Sequence, residues 1–276
     1  MSETLSRDET RAVADAGPLI ELTNVSVGAG GRRDSTSVEG IHWQIASGDY
    51  WVIGGSPGSG KSDLLATLAG LYRPLGGALR FFGKEVAAMS EDNFLAARLR
   101  IGLVFENGGR LFNHLSIAEN VALPLRYHHP EADTEAGERT KEILNATGLT
   151  SVADNGPAGI NLAQRQRVAL ARALALNPEV LLLDNPLAGL GPQEARWWPD
   201  FLSQLSHGHK LLRDHPRTLV VTCHDLRPWA DQGKQFALLK QKRWLAVGGR
   251  AELSCGEEPL LHELLAADFS AGRPCG

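Results

Sequence analysis

Long apolar runs are missing from this 276-residue chain. The longest, such as Val180–Leu183, cover only a few residues, whereas a membrane-crossing helix needs about 20, so no membrane span is expected. Cysteine is scarce. Cys223, Cys255 and Cys275 form no CxxC pair and no regular spacing, which argues against a disulfide framework or a zinc site and for a reducing compartment. An excess of positive charge is also missing. With 28 Lys+Arg against 32 Asp+Glu, the net charge is −4. That argues against attachment to nucleic acid by bulk charge, and no nucleic-acid partner is expected. Met1–Gly17 is polar and acidic, lacks the basic-then-apolar pattern of a signal peptide, and reads as a disordered tail. Neither an internal repeat nor a low-complexity stretch is visible.

Glycine, by contrast, is plentiful: 30 residues, where a usual ~7% share would give about 19. Glycine serves where backbone must bend or approach something closely. One cluster has a clear purpose. Gly55-Ser56-Pro57-Gly58-Ser59-Gly60-Lys61-Ser62 fits G-x-x-x-x-G-K-[ST] at every fixed position. The apolar run Tyr50–Gly54 reads as a strand leading into it. Leu64, Leu65, Leu68 and Leu71 recur at helical spacing behind it. In that setting, successive backbone N–H groups turn inward around a phosphate and the following helix aims its N-terminus at the same anion. Lys61 is placed to reach the β- and γ-phosphates of a nucleotide, and the Ser62 hydroxyl to sit on Mg²⁺.

Elsewhere, strands are expected at Leu19–Val27, Ile41–Ala46, Ala78–Phe82, Ile101–Phe105, Val180–Asp184 and Thr218–Thr222, with a hairpin over Gln235–Lys240 and Trp244–Val247. Helices are expected after the caps Ser90 and Ser116, the latter ending near Leu123 before Pro124, and over Thr134–Ala146, Asn161–Leu176, Gln193–Leu205 and Pro259–Ala267. Ser206–His215 reads as an extra surface loop, Lys240–Arg243 as a solvated hairpin turn, and Trp197, Trp198 and Trp229 as packing residues. Strands alternating with helices make an α/β fold.

The phosphate loop and five further strings, in order, resemble the ATP-binding cassette (ABC) family over about residues 19–265. Ile101–Glu106 looks like its Q-loop and Gln164–Leu174 like the stretch after its signature. Leu181-Leu182-Leu183-Asp184 resembles Walker B, Leu187–Pro192 the D-loop, and Thr222-Cys223-His224-Asp225 the switch-histidine loop. The resemblance implies a P-loop NTPase (RecA-like) core with an antiparallel β-subdomain and an inserted helical subdomain. It divides the chain as a single ABC domain over 18–270, with 18–88 and 177–270 forming the β-subdomain and core and 89–176 the helical insertion. It implies ATP and Mg²⁺ as ligands. The partners it implies are an integral membrane permease and a second cassette, in a homodimer or heterodimer, on the cytoplasmic face of the membrane. Leu111–Ser116 with Glu119–Leu125 is most similar to cassettes of mammalian-cell-entry (MCE) type lipid-trafficking systems, which points to lipid transport.

Several family positions are altered. The glutamate expected after Asp184 is Asn185, an amide that cannot accept a proton at neutral pH; loss of a general base typically costs 10²–10⁴-fold in rate. The Q-loop glutamine is Glu106. Ser62, Glu106 and Asp184 remain as Mg²⁺ ligands, and His224 as a contact for the γ-phosphate. The signature reads Ile160-Asn161-Leu162-Ala163-Gln164. Asn161 can replace the family serine's hydrogen bond, but Leu162 and Ala163 add side chains where the family has glycine. Gly191 replaces the D-loop aspartate. Asp63 stands where threonine is usual, either repelling phosphate or turned to solvent. Gly28–Gly31 lacks the adenine-stacking ring. The expectation is a transporter subunit that binds ATP and hydrolyses it slowly. The alternative is a non-catalytic cassette kept as an assembly or regulatory partner, with a soluble non-transport ABC protein behind both.

Overall fold

The computed structural model describes residues 17–32, 35–130 and 133–266. The tail expected over 1–17 lies outside these except for Gly17, as do Cys275 and the stretch from 267 to 270. Ten strands form one sheet, in the order β5-β4-β1-β2-β10-β9-β3-β8-β7-β6. The strands are β1 (Ile20–Gly28), β2 (Thr36–Ile45), β3 (Tyr50–Gly54), β4 (Gly76–Phe81), β5 (Lys84–Glu85), β6 (Ile101–Val104), β7 (Val180–Asp184), β8 (Thr218–Cys223), β9 (Gln235–Lys240) and β10 (Arg243–Gly248). One side of the sheet is antiparallel, with β1 pairing both β2 and β4. The other side is parallel, through β9, β3, β8, β7 and β6.

The reading of β7 as a buried strand holds for a clear reason. Its residues alternate between two apolar clusters, Leu181 and Leu183 in one, Val180 and Leu182 in the other. Successive side chains of a strand face opposite ways, so both sheet faces are covered and the strand is apolar throughout. Helix α1 (Lys61–Leu68) packs Leu64, Leu65 and Leu68 into the Val180 cluster. The remaining helices are α2 (Glu91–Leu99), α3 (Ile117–His128), α4 (Asp133–Ala146), α5 (Leu162–Leu174), α6 (Pro192–His207), α7 (Arg250–Cys255) and α8 (Pro259–Ala266). Both α5 and α6 pack on the Leu183 side, through residues such as Val168, Leu170, Trp198 and Leu202.

Two expectations need correction. Helix α3 does not stop before Pro124 but continues to His128. An internal proline costs roughly 3 kcal/mol. That is offset by a complete Ser116–Glu119 capping box and by burial of Ile117 and Val121 before the proline, with Leu125 packed after it. Ser206–His215 is not simply a surface loop, because Leu211 and Leu212 are buried and the Leu211 N–H donates to His209 Nδ1 at 3.0 Å. The short elements β5 and α7 carry too few residues to show a period in the sequence.

Candidate functional site

Register brings the site together. In the parallel half, Gly54 pairs with Cys223, Asp184 with Thr222, and Val104 with Leu183. The carboxyl ends of β3, β8, β7 and β6 therefore lie level along one sheet edge, the place where open α/β sheets receive ligands. The residues that follow these ends, Gly55, His224, Asn185 and Glu106, come from four distant parts of the chain. His224, Asn185 and Glu106, with Lys61, Ser62 and Asp184, line a cleft of about 440 Å³.

The phosphate loop needs its glycines. Gly60 sits at φ +97°, and a Cβ there would fall 2.7 Å from Val38 Cγ2. At Gly55 a Cβ would fall 2.6 Å from Ser59 Oγ and 2.8 Å from the Leu239 carbonyl. Lys61, almost fully buried, donates to the Gly55 carbonyl (2.6 Å), the Ser56 carbonyl (2.9 Å) and Ser59 Oγ (3.2 Å). These use all three of its N–H donors. His224 Nδ1, 2.9 Å from the Gly55 carbonyl and 3.3 Å from Lys61 Nζ, is then the donor to that carbonyl. Burial pushes the Lys61 pKa down to about 8, opposed by the negative charges of Asp184 and Glu106.

Asp184 is buried at the end of β7 and its Oδ1 accepts from Thr222 Oγ1 at 2.8 Å. Asn185 is also buried, at φ +42°, with its N–H donating to the Thr222 carbonyl at 3.1 Å. Its side-chain Nδ2 donates to Glu106 Oε1 at 2.8 Å. Asp63 stands in the first turn of α1. It lines the cleft, and its Oδ1 accepts from the Gly30 N–H at 2.8 Å, tying the start of α1 to the short turn Ala29–Gly31. Gly31 supplies no stacking ring; its missing Cβ leaves room for Tyr72, whose Cδ1 would lie 2.8 Å from that atom.

The residues Asn161, Leu162, Ala163 and Gln164 do not enter this cleft. Asn161 caps α5, exchanging hydrogen bonds with Gln164 at 2.8 and 3.0 Å. Leu162 occupies the space beside Gly189, where a Cβ would fall 2.9 Å from its Cδ2. Gln166 Nε2 donates to the Ala188 carbonyl at 2.9 Å, binding α5 to the loop after β7.

A second cleft, about 580 Å³, adjoins the phosphate loop. Ser56, Gly58 and Asp63 form one wall, and the turn residues Lys240 and Lys242 with Glu263 of α8 form another. The expected hairpin turn is present, yet it walls a cleft. Only the pairing of β9 with β3 puts it there, so nothing local in the sequence announced it.

The oxygen donors Ser62, Glu106 and Asp184 suit a hard cation such as Mg²⁺. Among the described residues, no three His, Cys, Asp or Glu side chains are grouped to hold a metal alone. The set fits an ion completed by phosphate and water oxygens.

Residues 38–188 match a family model described as ABC transporter. Over 231 residues the chain is 30% identical to a methionine import ATP-binding protein (MetN) of Carboxydothermus hydrogenoformans, spanning 83% of this chain and 66% of that protein. Over 218 residues it is 33% identical to a probable sulfate/thiosulfate import ATP-binding protein (CysA) of Chlorella vulgaris, spanning 79% and 87%. The structure of the ATP-binding cassette MJ0796, solved as a dimer in a post-hydrolysis state with ADP and Pi, superposes with a TM-score of 0.71. It is 28% identical and covers 81% of this chain and 95% of that one. CbiO1 of Clostridium perfringens, part of the cbiONQ transporter complex, shares the fold, with a TM-score of 0.73 at 24% identity, covering 88% and 92%.

Proposed function

The chain belongs to the ABC transporter family, and from that premise we propose that it is the nucleotide-binding subunit of a transporter, binding MgATP in the Lys61 cleft and hydrolysing it slowly. The observation that carries this reading is the meeting of Lys61, Asp184, Glu106 and His224 around one glycine loop. Lys61 and the loop N–H groups bind the phosphates. Ser62, Asp184 and Glu106 hold Mg²⁺, which supplies charge neutralisation on the phosphates. His224, at the edge of the same cleft, is the contact for the terminal phosphate.

Two further proposals follow from family membership. The partner that converts nucleotide binding into transport is a permease in the membrane. On this reading the subunit works at the cytoplasmic face of the membrane. A second cassette completes the site through Asn161–Gln164, which this subunit's own cleft does not use. In a homodimer both sites would combine Asn185 with the altered signature, whereas a heterodimer with an intact cassette would carry one defect in each. The string 111–125 supports a lipid as cargo, and the likeness to methionine and sulfate/thiosulfate import proteins supports a small solute. Both agree on the transporter subunit. The non-catalytic alternative is favoured by Leu162 and Ala163.

Fluorescent ATP with Mg²⁺ separates these readings. Saturable micromolar binding, weakened at least tenfold by Lys61→Ala (a charged hydrogen bond contributes about 1.5–3 kcal/mol), supports the proposal. No binding at millimolar nucleotide would falsify it and leave the non-catalytic reading.

A pH titration gives an independent check. The free Lys61 ammonium titrates at about 8, and bound phosphate holds its proton. Affinity is therefore flat between pH 7 and 8 and falls about tenfold per pH unit above 8, since binding must then take up a proton. Lys61→Arg, which stays charged, should flatten the curve; an unchanged slope in that variant means that another group titrates.

A further inference from the structure

The two clefts at the phosphate loop offer little flat apolar surface. Among the described residues, no Phe, Tyr or Trp lines either one, although the base of a nucleotide is a flat ring that stacks on another ring. One such ring lies just beyond them. A hollow of about 510 Å³ has Gly31, Tyr72 and Arg73 among its lining residues. Tyr72 follows the end of α1, where its N–H and that of Leu71 both donate to the Ala66 carbonyl, at 3.3 and 2.8 Å. A Cβ on Gly31 would fall 2.8, 2.9 and 3.2 Å from Tyr72 Cδ1, Cε1 and Cγ. Three consecutive ring atoms at nearly equal distances put the Gly31 backbone over one side of the ring. Tyr72 is only half-buried, and the rest of it lines the hollow.

We propose that Tyr72 is the base-stacking residue of this site, with the ribose passing over Gly30 and the base lying on the open side of the Tyr72 ring; the proposal rests on the MgATP reading above. The turn that separates the phosphate loop from the ring is held from both ends of α1. Asp63, in the first turn, accepts from the Gly30 N–H at 2.8 Å, and Tyr72 lies against Gly31. Gly30 and Gly31 have φ +58° and +73°, values that glycine adopts without strain. Neither carries a side chain, and a Cβ at Gly30 would meet nothing within 4 Å, so the space above the turn is open. With about 3.8 Å between consecutive Cα atoms, the ring begins within about 12 Å of the Asp63 carboxylate, the reach of a ribose and its base. The second cleft, walled by Gln241 and its neighbours, presents polar side chains but no such ring.

The test is titration of the full chain with MgATP and with magnesium tripolyphosphate, which carries the phosphates without ribose or base. Both are read beside the melting temperature of the ligand-free protein. Tyr72→Leu keeps apolar bulk against Gly31 but removes the ring. It should weaken MgATP binding by about 5- to 100-fold and leave tripolyphosphate binding and the melting temperature unchanged. Tyr72→Phe keeps the ring and should bind MgATP as the wild type does. A merely structural role for Tyr72 would weaken both ligands together, and that outcome overturns the proposal. So does wild-type MgATP affinity in Tyr72→Leu, or a loss in Tyr72→Phe equal to that in Tyr72→Leu, which would assign the effect to the hydroxyl. A selective loss of MgATP affinity in Gln241→Ala instead of Tyr72→Leu would put the base in the second cleft. If the wild type binds neither ligand, the nucleotide reading itself fails and takes this proposal with it.

Discussion

Asp63→Asn is expected to tighten MgATP binding about 100-fold. The carboxylate lines the phosphate cleft at the first turn of α1, where a bound nucleotide brings further negative charge. Like charges about 5 Å apart repel by roughly 3 kcal/mol at an effective dielectric of ~20, and each 1.4 kcal/mol is tenfold in affinity. The 2.8 Å bond from the Gly30 N–H orients this charge without neutralising it. Asparagine keeps an acceptor oxygen for that N–H and removes only the charge, which separates electrostatics from loop anchoring. Titration with fluorescent ATP at fixed Mg²⁺ measures the difference. A wild-type affinity in the variant means that the carboxylate stays clear of the phosphates and serves only to anchor Ala29–Gly31. Since the repulsion is between charges near the surface, the gain should shrink as salt is raised.

The largest loss of stability is expected from Trp198→Ala, about 3–5 kcal/mol. Trp198 has no exposed surface and is among the largest fully buried side chains. It meets Trp197 edge-on at 5.3 Å, and its cluster includes Leu183 and Val221, the strand residues beneath Asp184 and His224. The void left by an indole cannot be filled by neighbours held in a parallel sheet. For a chain of this size the change lowers the melting temperature by roughly 6–20 °C, readable by calorimetry. The indole Nε1 has no hydrogen-bond partner among the described residues. Trp198→Phe therefore forfeits area but also removes a buried unpaired donor, and should cost clearly less than alanine. Equal losses in the two variants would show that the ring's apolar contacts contribute little.

Those two residues mark the range of what was readable in advance. The phosphate loop was legible because its chemistry is local: three glycines, a lysine and a serine at fixed spacing, between a strand and a helix that show their own periods. The buried strand Val180–Asp184 and the Ser90 and Ser116 caps were legible for the same reason, each resting on neighbours within a few positions. The course of α3 through Pro124 was not, since packing on other helices outweighed a local rule. The destination of Asp63 was not either. Two orientations were open, and the one adopted depends on a backbone N–H 33 positions earlier.

The linear order of residues thus established the family, the α/β class and the inventory of groups that act on phosphate, because backbone turns, caps and periodicities depend on adjacent residues. Which groups touch was decided in three dimensions. The amide of Asn185 on Glu106, the turn at Lys240–Lys242 beside the phosphate loop, and Leu162 set against Gly189 all arise from strand order and register. Each joins segments that lie far apart in the chain, so the contact is a property of the sheet that aligns their ends and leaves no local trace in the sequence.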